Sequence, residues 1–228
     1  MQIDVITLFP GIFTSPLQES LLKKAQENGL VTITVHNLRD WCMDKHKTAD
    51  DAPYGGGPGM VVKPEPLFSA IESIQSQRNN AKVILLSPQG QVFHQKMASR
   101  LSEENELILI CGRYEGIDER VKDTLVDEEI SIGDYVLNGG EMPALVLIET
   151  ITRLIPGVVG DAQSIVQDSF YENMLDYPHY TRPAEFRGLK VPEILLTGHH
   201  GEVDNWRKNT ALERTKKLRP ELLKALPQ

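Results

Sequence analysis

Cysteine is almost missing from this 228-residue chain, in which Cys42 and Cys111 stand alone and far apart. Two isolated thiols exclude a disulfide framework and a thiolate metal site, and they fit the cytoplasm. No apolar run approaches the roughly 18 residues that a membrane span requires. The N-terminus, MQIDVITLFP, enters a strand pattern directly, so neither a secretion signal nor a membrane partner is expected. Positive charge is scarce as well. The 24 Lys and Arg residues face 32 Asp and Glu, a net charge of −8, which argues against indiscriminate coating of nucleic acid. Nucleotide signatures are also absent. The glycine-rich stretch DKHKTADDAPYGGGPGM (Asp44 to Met60) lacks the Lys-Ser/Thr ending of a P-loop, and no G-x-G-x-x-G follows the first strand. His46 stands among Lys and Asp, and His199 and His200 are adjacent and share no helix face, so no protein metal site is expected.

What remains is a globular composition, 40% hydrophobic and 25% charged, long enough for one ordinary domain and a small appendage. The charge is unevenly spread. Residues 176–228 hold ten basic and seven acidic side chains, a balance of +3, which leaves fourteen against twenty-five, or −11, in residues 1–175. Trp206 to Arg219 carries six basic residues and only Glu213, which reads either as an RNA-facing surface or as a solvated helix face.

Strand and helix patterns alternate. Strands are expected at Ile3–Phe9, Val31–His36, Lys82–Ser87 and from Leu107 to Ile110, with a further strand-like run ending at Gly133. Helices are expected from Ser15 as N-cap with Pro16 first, ending near Gly29, then at Pro64–Ile74, Gln95–Leu101 and Met142–Ile155, and from Glu202 onward. This alternation predicts an α/β fold with a largely parallel sheet, in which ligands bind beyond the carboxyl ends of the strands. Three glycine-bearing turns fall there, after Leu86 (Pro88-Gln89-Gly90), at Gly112 and at Gly133, and Gly139-Gly140 opens the helix that carries Pro143 in its first turn. Glycine at such ends allows a close approach of backbone to ligand. The stretch from Pro156 to Ser164 reads as a flexible linker.

GRYEGIDER (Gly112 to Arg120) and SIGDYVLNGGE (Ser131 to Glu141) resemble the bacterial tRNA (guanine-N1)-methyltransferases. The resemblance continues through DDAPYGGGPGM (Asp50 to Met60), LSPQG (Leu86 to Gly90), RLIPGV (Arg153 to Val158), DSF (Asp168 to Phe170) and PHYTRP (Pro178 to Pro183), in order along nearly the whole chain. It implies a SPOUT-type methyltransferase domain with a deep trefoil knot in residues 1–160, a flexible linker over 161–175, and a small, mainly helical tRNA-binding domain over 176–228. Longer members of the family extend further at the C-terminus. The implied cofactor is S-adenosylmethionine, and the implied reaction is methylation of guanosine N1 at tRNA position 37 in a tRNA with guanosine at positions 36 and 37. The implied assembly is a homodimer with the active site shared between subunits. Carried over by position, Gly112 and Ile132, Gly133, Asp134, Tyr135, Val136 and Leu137 would meet the cofactor through backbone groups. Pro88, Tyr114, Glu115, Ser131, Gly139 and Gly140 would line the same pocket. Magnesium is linked to the family's chemistry, but no dedicated protein cage is expected here.

Guanine N1 carries a proton, so its attack on a sulfonium methyl needs a base, and charge developing on O6 needs a donor or cation. The resemblance gives these roles to Asp168 and Arg153. Read alone, Asp168 is an N-cap or solvent residue, and Arg153 is a cation compensating a helix C-terminus. Tyr114 and Tyr135, read alone, serve equally as core aromatics. The family further implies that Gly57 and Gly59 approach the flipped base beside Tyr54, and that Arg182, Arg207 and Arg214 hold RNA phosphates.

Overall fold

The computed structural model describes residues 1–225 and divides into two units, Met1–Gly160 and a second that begins at Asp161. In the first unit, β1 (Gln2–Thr7) is buried along nearly its whole length, as its apolar run dictates. Two short 3-10 turns follow, Pro10–Phe13 and Pro16–Gln18. The expected helix start at Ser15 is not where α1 begins. Ser15 makes no side-chain cap bond, Glu19 is extended, and α1 spans Ser20–Glu27. Pro16 fixes a tight turn there instead of opening the helix. The predicted end is correct, because Gly29 takes φ +68° and Leu30 N–H donates to Ala25 O at 3.0 Å, closing the last turn.

β2 (Thr32–Asn37) is followed by a long connection. Asp44 to Met60 was expected to lack regular structure, yet it contains the two-residue strand β3 (Asp50–Asp51), which pairs antiparallel with β4 (Val61–Val62) just beyond it. Next come α2 (Pro64–Gln75), with Pro64 at its first position, then β5 (Lys82–Val92), α3 (Gln95–Ser102) and β6 (Glu106–Cys111). A helix that the periodicity did not show, α4 (Glu119–Leu125), lies between β6 and β7 (Glu128–Ser131). Asp118 caps it by accepting from Arg120 N–H at 3.0 Å. Finally α5 (Glu141–Leu154) closes the unit.

The five long strands form one parallel sheet in the order β2-β1-β6-β5-β7. Burial on both faces explains why Leu107 to Ile110 is a continuous apolar run and not an alternating one. One face packs side chains of α1, α3 and α5, including Leu22, Leu101, Leu147 and Ile151. The other packs α2 and α4, including Leu67, Ile71 and Val121. Asp4 is buried in β1, where it is satisfied by the Arg78 guanidinium (2.9 and 3.1 Å) and by His36 Nε2 at 2.7 Å.

β5 departs from expectation in an informative way. It does not stop at Ser87: Leu86 and Gln91 both align with Ile130 of β7, so Ser87–Gly90 bulges out of the ladder before the strand resumes. Gly90 turns onto the neighbouring strand so closely that a Cβ would lie 2.4 Å from the Glu129 backbone carbon.

The second unit holds α6 (Ala162–Gln167), inside the stretch expected as linker. A hairpin of β8 (Glu185–Phe186) and β9 (Leu189–Lys190) follows, then a 3-10 turn at Glu193–Leu196, α7 (His200–Leu218), and a last turn at Pro220–Ala225. The α7 helix is anchored through Thr215, whose hydroxyl donates to Ala211 O at 2.7 Å and accepts from Leu175 N–H at 2.9 Å.

Candidate active site

Because every strand of the main sheet runs the same way, the ends of β6 and β7 and the bulge of β5 open on one edge of the sheet. A cleft of about 190 Å³ lies there. It is lined by Pro88, Gly112, Tyr114, Glu115, Ser131, Ile132, Gly133, Tyr135, Val136, Leu137, Gly139 and Gly140. Asp134 belongs to the same loop but does not line the cleft.

The glycines of the cleft have local reasons. Gly140 N–H donates to Gly112 O at 2.9 Å, and a Cβ on Gly140 would stand 2.7 Å from Cys111 Cα. A Cβ on Gly139 would meet Arg113 Nε at 2.3 Å. The turn before α5 therefore lies directly on the turn after β6: a side chain at Gly140 would push on that backbone, and one at Gly139 would displace the Arg113 and Glu141 side chains. Gly133 takes φ +145° under the Tyr135 ring, and the Tyr135 hydroxyl donates to Ile132 O at 3.1 Å. The loop from Ser131 to Leu137 is thus folded on itself, and all of it except Asp134 lines the cleft.

Tyr114 and Tyr135 are not core aromatics. They are 48% and 54% exposed, and Tyr114 sits in the left-handed region (φ +59°), in the turn after β6. Partial burial pushes the Tyr114 hydroxyl pKa up, and the negative charge of the neighbouring Asp50 carboxylate adds to the effect. The Cys111 thiol is pushed well up by burial, with the Glu141 carboxylate adding to it, so it is held as an unreactive thiol.

The glycine loop Gly55–Gly59 joins the cleft through its C-terminal side. Glu115 N–H donates to Met60 O at 3.0 Å and Val62 N–H to Gly116 O at 3.0 Å. Gly59 (φ +83°) packs on the Glu115 side chain, where a Cβ would lie 2.3 Å from its carboxylate. Gly57 also has positive φ, and Tyr54 is fully exposed beside them.

A family model described as tRNA (Guanine-1)-methyltransferase TrmD matches residues 1–225. Proteins named tRNA (guanine-N(1)-)-methyltransferase are closely similar. The one from Geobacter sp. (strain M21) is 54% identical over 223 residues, covering 98% of this chain and 90% of that protein. Those from Dictyoglomus turgidum and Carboxydothermus hydrogenoformans are 55% and 56% identical, covering 98% of this chain and 90% and 88% of theirs. The chain belongs to the tRNA (guanine-1)-methyltransferase family.

The remaining residues expected from this family's pattern are not among those that line the cleft. Arg153 is half-buried in the last turn of α5, and Asp168 is half-buried directly after α6 in the second unit. Arg182 and Arg214 are exposed. Arg207 is engaged within its own unit, 5.1 Å over the Tyr177 ring and 3.3 Å from Asp204 Oδ1. Among the described residues no group of three or more His, Cys, Asp or Glu side chains could hold a metal, and no helix is long and apolar enough to cross a membrane.

Sequence reasoning missed two charged pairs at the cleft, Arg113 with Glu141 and Lys122 with Glu129 (2.9 Å each). Both partners of the first pair lay inside quoted motifs. Only the observed contact of the two turns brings them together.

Proposed function

We propose that this protein transfers the methyl group of S-adenosylmethionine to N1 of guanosine at tRNA position 37, in tRNAs with guanosine at positions 36 and 37. The single observation that carries the reading is the convergence of three glycine-bearing strand ends on one cleft in a chain of this family. The cleft suits the donor: Gly112 and the Ile132–Leu137 loop would meet it through backbone amides and carbonyls, and the lining residues Leu86, Ile132, Leu137 and Pro143 offer an apolar bed for a purine. When bound, the donor supplies an electrophilic methyl on a sulfonium.

The chain's own residues then divide the remaining work. Asp168 accepts the N1 proton, and Arg153 stabilises the charge that builds on O6. Tyr54, Gly57 and Gly59 receive the extruded base, and the basic side chains Arg182, Arg207 and Arg214 bind phosphates. We assign residues 1–160 to a knotted SPOUT catalytic domain, 161–175 to an interdomain linker, and 176–228 to tRNA binding. The knot is inferred from membership of the family, whose model matches residues 1–225. A homodimer sharing its active site is supported by an apolar exposed face next to the cleft: Val136, 87% exposed, with Leu137, Met142 and Val146. We place the enzyme in the cytoplasm. Magnesium has no protein cage among these residues, and no step is routed through it.

The test mixes full-length protein, methyl-labelled S-adenosylmethionine and two transcripts, one with guanosine at 36 and 37 and one with adenosine at 37. Label at N1 of guanosine 37 alone supports the reading. Equal labelling of both transcripts, or of neither, refutes it.

A further inference from the structure

Two walls of the cleft are joined by an ion pair to which the methyl-transfer reaction gives no part. Glu141, the first residue of α5, is 1% exposed. A carboxylate at that depth requires partners, and it has them. Its Oε1 accepts from Thr7 Oγ1 at 2.8 Å and from Arg113 Nε at 3.1 Å. Its Oε2 lies 2.9 Å from the same nitrogen without a well-aligned hydrogen bond of its own. Arg113 Nη1 donates to Asn138 O at 3.2 Å, and the guanidinium sits 4.3 Å over the Phe9 ring. Phe9 N–H donates in turn to Thr7 Oγ1 at 2.9 Å. Three segments distant in sequence therefore meet on two side chains: the end of β1, the turn after β6 and the turn before α5.

Gly139 lies between the partners, where a Cβ would come within 2.3 Å of Arg113 Nε and 2.6 Å of Glu141 Oε2. The pair thus occupies the space beside the backbone that lines the cleft, and Arg113 and Gly139 bridge antiparallel across it. Stability alone is a weak reason for such a pair, since well-packed apolar side chains of similar volume serve as well or better. What an arginine fork adds is fixed geometry toward a carboxylate and a carbonyl.

We propose that Arg113 and Glu141 are positioning residues: their ion pair holds Gly112 and Asn138–Gly140 at the separation that the methyl donor needs. The inference rests on the reading of the cleft as the S-adenosylmethionine site. Neither side chain is assigned a role in proton transfer.

The test compares full-length protein with the double variant Arg113→Met, Glu141→Met, which replaces the pair with apolar groups. Thermal unfolding is recorded beside calorimetric binding of S-adenosylhomocysteine, a product that permits no turnover. A positioning role predicts a melting temperature close to the parent and binding weakened by about tenfold or more. Arg113→Lys, which keeps the charge and loses the fork, should weaken binding too, and Thr7→Val should do so to a smaller extent. These two single variants carry the comparison if the double variant does not fold. Folded variants that bind like the parent overturn the proposal. If the parent itself takes up no S-adenosylhomocysteine, the reading of the cleft falls first and the proposal with it.

Discussion

Gly140 N–H donates to the carbonyl of Gly112 at 2.9 Å, so the turn that opens α5 rests on the turn that ends β6 with no side chain between them. Gly140→Ala tests this contact. The added methyl would stand 2.7 Å from Cys111 Cα and 3.0 Å from Gly112 N, both backbone atoms with little freedom to retreat. The expected outcome is a loss of about 1–3 kcal/mol of stability from overpacking, read by denaturant unfolding. Weaker uptake of S-adenosylmethionine should accompany it in calorimetry. An alanine variant as stable as the parent would mean that the two turns do not lie so close.

Asp168 is expected to act on the proton and not on the donor. Asp168→Ala should lower single-turnover methyl transfer by about 10²–10⁴-fold while leaving S-adenosylmethionine affinity nearly unchanged. Full activity in this variant would refute the assignment of the base.

The two arginines of α7 should behave differently. Arg214 is exposed, whereas Arg207 packs over Tyr177 and pairs with Asp204. Arg214→Ala should raise KM for tRNA and reduce the salt slope of binding by about 1, with the melting temperature unchanged. Arg207→Ala should also lower the melting temperature, because it removes packing inside the unit. Equal thermal behaviour of the two variants would contradict this distinction.

An acid-sensitive anchor holds β7, the strand that delivers Ser131 to the cleft. Glu128 accepts from both arms of Arg100 (2.7 and 2.6 Å) and from Lys82 at 3.1 Å. The Arg100 hydrogen bonds hold its carboxyl below the ordinary value of 4.5. A carboxyl lowered in the folded state stabilises the fold above the unfolded value and loses that contribution as pH falls through the folded one. Parent protein should therefore lose stability as pH drops below about 4.5, while Glu128→Gln should be less stable at pH 7 and show a shallower acid slope. Parallel acid-unfolding profiles for the two proteins would rule out the anchor.

Much of the sheet was legible because burial on both faces leaves long apolar runs, as in Leu107 to Ile110. The end of α1 was legible through Gly29. The start was not, since Pro16 serves a 3-10 turn as readily as a helix. α4 escaped because it is only seven residues long and buries one apolar side chain, Val121, too few for a periodic signal. Its cap at Asp118 was the available clue. The residues of the cleft were legible as glycines at strand ends and through the family motifs. Their support was not: Arg113 and Glu141 are 28 positions apart, and no local pattern pairs them. The bulge at Ser87–Gly90 is likewise invisible until β7 lies against it.

The central claim is that the cleft between these strand ends holds the methyl donor, and a crystal structure of the protein grown with saturating S-adenosylhomocysteine tests it most directly. The account predicts the ligand against the backbone of Gly112, of Ile132–Leu137 and of Gly139–Gly140, with its sulfur facing the open side of the cleft. A ligand bound elsewhere, or an ordered cleft left empty at saturation, would contradict it.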